Sequence, residues 1–176
     1  MIKKHSGTLF VIDESYLPFV SGFEERTFFK PPLMKNVIVI ASFSKIFRIP
    51  GLRTGFLVGH GDLIEKFHRF LTPWSVNSLA HAALFYLLDP ENGVDRFLKE
   101  SIDFVETERL RFMARFQSAR GAVFFEGSTP FILGKAQGGH TAASICEALL
   151  HRRILIRNCS NFQGLSDRFF RVSLKD

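Results

Sequence analysis

Cysteine is scarce in this chain. Cys146 and Cys159 are the two thiols among 176 residues, too few for a disulfide scaffold at this length. Long apolar runs are also missing, and none approaches the ~20 residues that a membrane-spanning helix needs. The basic start, Met1-Ile2-Lys3-Lys4-His5, leads into a short apolar stretch, Thr8 to Ile12, that Asp13-Glu14 ends. A secretory signal is therefore not expected. Runs of like charge are missing too. The 23 basic and 17 acidic residues give a net charge of +6, but no Lys/Arg run exceeds two. Nucleic-acid faces show clustering, so a nucleic-acid partner is not expected. The six histidines show no H-x-x-x-H spacing and the cysteines no C-x-x-C, so no metal is expected. Cys146 and Cys159 read as core thiols. What the chain does have is apolar content, 46% hydrophobic residues, which excludes disorder. The length suits one domain, or one and a half. These features point to a soluble protein of a reducing compartment, the cytoplasm, with no membrane partner.

The apolar runs order the chain. Residues 8–12 and 37–41 are short, rich in β-branched side chains and continuous rather than alternating. They read as buried strands, in the manner of parallel strands covered on both faces. Residues 17–36 contain Pro18, Pro31 and Pro32 and read as a loop with one helical turn. Residues 55–59 read as a third strand. Asp62 is placed to cap a helix reaching about Phe70, and Asn77 or Ser78 to start another that ends near Leu88. From Val94 to about Ala119 neither Pro nor Gly interrupts, and Phe97, Leu98, Ile102, Val105, Leu110, Met113 and Phe116 recur at broadly helical spacing. Beyond this helix come a strand near 131–134, a helix near 141–151, a strand near 153–157 and a strand near 169–174. A domain boundary is expected at about residue 90, with residues 1–90 in one domain and residues 91–176, led by the long helix, in the other.

Four elements carry candidate chemistry. Asp13-Glu14-Ser15-Tyr16 follows the first strand, and Ser42-Phe43-Ser44-Lys45 follows the second. Pro50-Gly51-Leu52-Arg53-Thr54-Gly55 comes next, and Arg171 lies in the final strand. Taken singly, each has a plain explanation. A carboxylate at a strand end caps a turn, a lone lysine is solvated surface, Gly51 shapes a turn and Arg171 faces water from an edge strand. Taken together they are more specific. Ligand sites in open α/β sheets lie beyond the C-terminal ends of strands, where Asp13 and Lys45 both fall. Ser42, Ser44 and Arg53 add two hydroxyls and a guanidinium, a donor set suited to a phosphate dianion. An amine, a carboxylate, a tyrosine and a phosphate cradle together suit pyridoxal 5'-phosphate, which needs a lysine, an anion for its ring nitrogen and a donor for its phenolic oxygen.

These elements resemble those of the fold-type I pyridoxal-phosphate enzymes, the class I/II aminotransferase family. Asp13-Glu14-Ser15-Tyr16 resembles the family's D-E-x-Y element, and Ser42 to Gly55 its S-x-S-K…P-G-L-R-x-G element. The resemblance implies an α/β fold: the C-terminal part of the large cofactor domain, then the small α+β domain. It implies that Lys45 bonds the cofactor and then shuttles the proton. Asp13 pairs with the ring nitrogen, Tyr16 donates to the phenolic oxygen, Ser42, Ser44 and Arg53 hold the phosphate, and Arg171 binds the substrate carboxylate. Within the family, Ile156-Arg157-Asn158-Cys159-Ser160-Asn161-Phe162 is most similar to the threonine-phosphate decarboxylases of cobalamin biosynthesis, with the histidinol-phosphate aminotransferases as near relatives. Arg157 and Arg171, 14 positions apart, suit a substrate with two anionic ends, although a surface ion pair would also account for Arg157. The expected reaction is decarboxylation of a small phosphorylated amino acid, with transamination as the alternative. The outcome depends on which bond at Cα is held perpendicular to the cofactor ring. The family also implies a homodimer.

The chain departs from the family in length, because it matches only the C-terminal half. The glycine-rich helix start that meets the cofactor phosphate in the family has no counterpart here, and helix N-termini are natural anion sites. The ring-stacking aromatic, the asparagine partner of the phenolic oxygen and the N-terminal arm also lack counterparts. The 21 phenylalanines fit a chain that packs against more protein, and equally a phenylalanine-rich core of its own. A second expectation therefore stands beside the first: an inactive fragment, in which Lys45, Asp13 and Arg53 become competent only when the other half is supplied.

Overall fold

The run Val37-Ile38-Val39-Ile40 has the β-branched side chains that a pleated, covered surface favours, and it forms the centre of the first sheet. In the computed structural model, which describes residues 2–175, this run is strand β2 (Val37–Ser42). It pairs in parallel with β1 (Phe10–Asp13) and antiparallel with β3 (Gly55–Gly59), giving the order β1-β2-β3. The register sets Ile12 beside Val39 and Ala41 beside Phe56. Val37, Ile38 and Val39 are buried, Ile38 completely. Strand β1 does not share this environment, contrary to the sequence expectation. Phe10 and Ile12 are half-buried, but Val11 and Asp13 are exposed. An edge strand with one covered face alternates in this way, whatever the apolar content of its run.

Two short helices follow these strands closely: α1 (Phe23–Arg26) in the proline-rich loop and α2 (Phe43–Ile46) directly after β2. Helix α3 (Gly61–His68) is capped by His60, whose Nδ1 accepts from the Asp62 N–H at 3.4 Å. Asp62, expected to be the cap, lies instead in the first turn, where a carboxylate complements the helix dipole. Helix α4 (Ser78–Leu88) starts as expected, with the Asn77 side chain accepting from the Ala80 N–H at 2.9 Å. The long helix α5 (Val94–Phe116) stops short of Ala119. The chain separates into two compact units at Ile102/Asp103, inside α5.

The second unit contains a sheet of order β4-β5-β7-β6, in which every pairing is antiparallel. Its strands are β4 (Ala122–Phe124), β5 (Phe131–Ala136), β6 (Arg157–Asn158) and β7 (Phe169–Ser173). One face meets helix α6 (Ala142–Leu150), which begins at a reciprocal Thr141–Ser144 capping box. Phe170, Ala136 and Ala142 are buried there, with Phe124, Ile145 and Val172 packed around them. Phe112 of α5 meets Phe124 edge-on and Phe116 meets it tilted, and Phe124 in turn meets Phe170 edge-on. Gly134 makes this packing possible, because a Cβ there would lie 2.6 Å from the Phe170 ring. The expected strand at 153–157 shrinks to Arg157–Asn158. The Ile154 N–H donates to the Leu149 carbonyl and Arg153 is left-handed (φ 61°), so these residues turn the chain out of α6. Strand β4, only three residues long, has no counterpart among the strands expected from the apolar runs. Among the described residues no helix is long and apolar enough to cross a membrane.

Candidate active site

The parallel ladder carries Asp13 to the C-terminal end of β1, opposite Ile40, and the Glu14 N–H extends it by donating to the Ile40 carbonyl at 2.8 Å. Asp13 is exposed, and its Oδ1 accepts from the Ser15 N–H at 2.9 Å. The Ser15 hydroxyl and N–H hold the carboxyl below the ordinary aspartate range against the opposing effect of burial, with a lesser contribution from the Lys45 charge. The adjacent Glu14 turns to the loop after α1, where its carboxylate accepts from the Thr27 hydroxyl at 2.5 Å and the Phe28 N–H at 2.7 Å. Glu14 thus anchors the chain, while the exposed Asp13 carboxylate is held by Ser15.

Lys45 lies in α2, immediately beyond the C-terminal end of β2, the parallel neighbour of β1. It is exposed, and its Nζ lies 5.7 Å from the centroid of the Tyr16 ring. The first sheet therefore brings Asp13, Tyr16 and Lys45 to one edge. Ser42 caps α2, its hydroxyl accepting from the Ser44 N–H at 3.2 Å and donating to the Thr54 carbonyl at 3.5 Å. Ser44 is buried. Arg53 is exposed in a left-handed conformation (φ 53°), and its Nη1 donates to the Pro50 carbonyl at 3.1 Å. The next residue, Thr54, is buried at 6% exposure, and its Oγ1 has no partner among the described residues. Gly55 follows because β2 comes close: a Cβ there would lie 2.5 Å from the Ala41 carbonyl oxygen. Reading the sequence singled out neither Ser15 nor Thr54. Spacing carries no signal for a hydroxyl turned back on its own strand, or for one buried without a partner.

In the second unit, Arg157 and Arg171 are direct cross-strand partners on β6 and β7. Directly opposed residues project from the same face of a sheet, and like charges so placed destabilise it. The Arg157 guanidinium reaches the Asn161 Oδ1 at 3.2 Å and lies 5.8 Å from the Phe162 ring centroid. The Arg171 guanidinium lies 4.3 Å from the Phe131 ring centroid, and its buried Nε has no partner among the described residues. Neither arginine meets a carboxylate there. The two cysteines are protein-facing: Cys159 is buried, and burial pushes the Cys146 thiol upward, with Cys159 nearby adding to it.

The sequence pattern of aminotransferase class I and II covers residues 1–175. The chain belongs to this family. Family members depend on pyridoxal phosphate and share an aminotransferase-like α/β fold. A histidinol-phosphate aminotransferase 2 from Bacillus cereus is 35% identical over 88% of this chain and 40% of its own length. A histidinol-phosphate aminotransferase from Methanothermobacter thermautotrophicus is 28% identical over 98% of this chain and 45% of its own. The crystal structure of L-threonine-O-3-phosphate decarboxylase from Porphyromonas gingivalis superposes with a TM-score of 0.84 at 30% identity, covering 99% of this chain and 52% of that one. The chain thus spans about half the length of the relatives it matches.

Proposed function

We propose that this chain carries the lysine-bearing part of a pyridoxal-phosphate enzyme that decarboxylates a small phosphorylated amino acid. The observation that carries the substrate reading is the Arg157–Arg171 cross-strand pair, two arginines on one face that form no ion pair with a carboxylate among the described residues. Two opposed cations favour a ligand with two anionic ends, since each guanidinium can form paired charged hydrogen bonds. The residues of the first unit fit the family's cofactor. Asp13, held ionised, suits a protonated ring nitrogen; Lys45 offers an exposed amine; and the partnerless Thr54 hydroxyl adjoins the Arg53 guanidinium in sequence. When bound, pyridoxal phosphate supplies an electron sink for a bond breaking at the substrate Cα.

The chain's own groups then divide the work. Lys45 would be the nucleophilic amine for the cofactor; in decarboxylation it would return a proton to Cα once carbon dioxide has left, and in transamination it would take the proton from Cα. Asp13 keeps its negative charge and so keeps the ring nitrogen protonated. Tyr16, whose ring centroid lies 5.7 Å from the Lys45 Nζ, would donate to the phenolic oxygen. Ser42, Ser44 and Arg53 hold the phosphate. Arg157 and Arg171 would take the two anionic ends of the substrate, its carboxylate and its phosphate. The threonine-phosphate decarboxylase at 30% identity supports loss of carbon dioxide from threonine phosphate, and a relative named for adenosylcobalamin biosynthesis, 27% identical over 99% of this chain, supports that setting. The second reading, transamination of histidinol phosphate, is favoured by the relative at 35% identity. Both reactions suit a soluble cytoplasmic homodimer.

The test is to reduce the purified chain with borohydride in the presence of pyridoxal phosphate and to locate the modified residue by mass spectrometry. Covalent cofactor on Lys45, absent in Lys45→Ala, is the expected result. Equal labelling of the variant would overturn the assignment. Carbon dioxide release from threonine phosphate, set against amino transfer from histidinol phosphate, separates the two readings.

A further inference from the structure

The face of the second sheet that carries Arg157 and Arg171 holds a third cation. The β5–β7 register pairs Arg171 with Leu133 and Lys135 with Phe169. Leu133 and Lys135 are two positions apart on β5 and project from the same face. Lys135 is therefore the diagonal neighbour of Arg171, at about 7–8 Å between backbones, within reach of long side chains. The opposite face is the buried one, carrying Ile132, Ala136 and Phe170. Lys135 is exposed, its Nζ lies 5.4 Å from the Phe169 ring centroid, and Phe169 stacks on Phe125. Arg171 likewise lies over Phe131. Both cations thus rest their charged groups on aromatic rings of this face, a contact that a solvated ligand anion can compete for at the exposed Lys135. No carboxylate forms an ion pair with Lys135, Arg157 or Arg171 among the described residues.

We propose that Lys135 is a specificity residue that completes a three-cation face with Arg157 and Arg171 and selects substrates bearing a phosphate dianion over those bearing a carboxylate alone. A carboxylate and a phosphate monoester together carry nearly three negative charges at neutral pH, one more than two arginines match. A flexible lysine supplies a point charge that follows the phosphate, while the arginines fix orientation. This inference rests on the substrate reading above and goes beyond it in naming a residue that discriminates on charge.

The test is calorimetric titration of the full chain with O-phospho-L-threonine and with L-threonine, for the unsubstituted protein, Lys135→Met, Lys135→Arg and Arg171→Met. Lys135→Met is expected to weaken phosphothreonine binding about fivefold to tenfold, the size of a solvent-screened charge contact, and to leave threonine binding unchanged. Lys135→Arg is expected to retain the preference. Phosphothreonine binding that Arg171→Met abolishes and Lys135→Met leaves intact would overturn the role of Lys135 while the substrate reading stands. Equal weakening of both ligands by Lys135→Met would overturn it too. No phosphothreonine binding by the unsubstituted chain would overturn the substrate reading, and this inference with it. Lys135→Gln, if Lys135→Met unfolds, reads the same difference.

Discussion

The two sheets of this protein bury their apolar residues to different extents. The four-stranded sheet covers one face, with Ile132, Ala136 and Phe170 buried and Ala122, Phe124 and Val172 half-buried. The three-stranded sheet buries Val37, Ile38 and Val39 along one strand, while Val11 on the neighbouring strand stays 56% exposed and Ile40 37%. The difference follows from what meets each face. Phe112, Phe116 and Phe124 gather over one side of the second sheet, and α6 adds to it. In the first sheet, β1 is an edge with a single parallel neighbour. A continuous apolar run thus reports that a strand will form, but it does not report how many of its faces are covered.

The sharpest way to break this contrast is Phe170→Ala. The ring fills the space above Gly134, so its removal is expected to cost about 3–5 kcal/mol, read from denaturant unfolding of the second unit; a loss below 1 kcal/mol would mean that this core repacks freely. A paired substitution probes the first sheet. Ile38→Ala is expected to cost about 2–5 kcal/mol and Val11→Ala less than about 0.5 kcal/mol. Similar losses at both sites would mean that the outer face of β1 is covered in solution. The smallest effect concerns acid stability. Because the Asp13 pKa is lowered on folding, the carboxylate contributes stability above its unfolded pKa, and this is lost as pH falls through the lower folded value. Ser15→Ala removes one of the donors, so the Asp13 titration followed by NMR should move up towards its ordinary value. The acid limb of stability should shift with it by a small amount, since Asp13 is exposed. No movement would show that the Ser15 hydroxyl does not reach the carboxylate.

These contrasts also explain what could be read in advance. The family, the parallel β1–β2 pairing and the strand ends that carry Asp13 and Lys45 follow from residue types and short spacings, because local pattern determines them. The Asn77 cap was legible for the same reason. Position 154–156 was not: Ile154, Leu155 and Ile156 have strand composition, but a left-handed Arg153 uses them to leave α6. His60 takes the cap two residues ahead of Asp62 because its ring nitrogen accepts from the Asp62 N–H. In the candidate site, the identities of Asp13, Tyr16, Ser42, Ser44, Lys45, Arg53, Arg157 and Arg171 came from pattern. The hydrogen bonds from Ser15, the partnerless Thr54 hydroxyl and the Arg157–Arg171 opposition depend on tertiary register, which no single segment encodes.

Arg53 carries one more consequence. It is a long side chain in the left-handed region, at the end of the Pro50–Leu52 turn, where glycine would be cheaper by about 1–2 kcal/mol. Variants chosen only for heat resistance should therefore drift towards Arg53→Gly, while variants chosen for phosphate retention should keep the arginine. The two selections pull this position in opposite directions, so its occupant in any evolved lineage would record whether durability or ligand capture was under pressure.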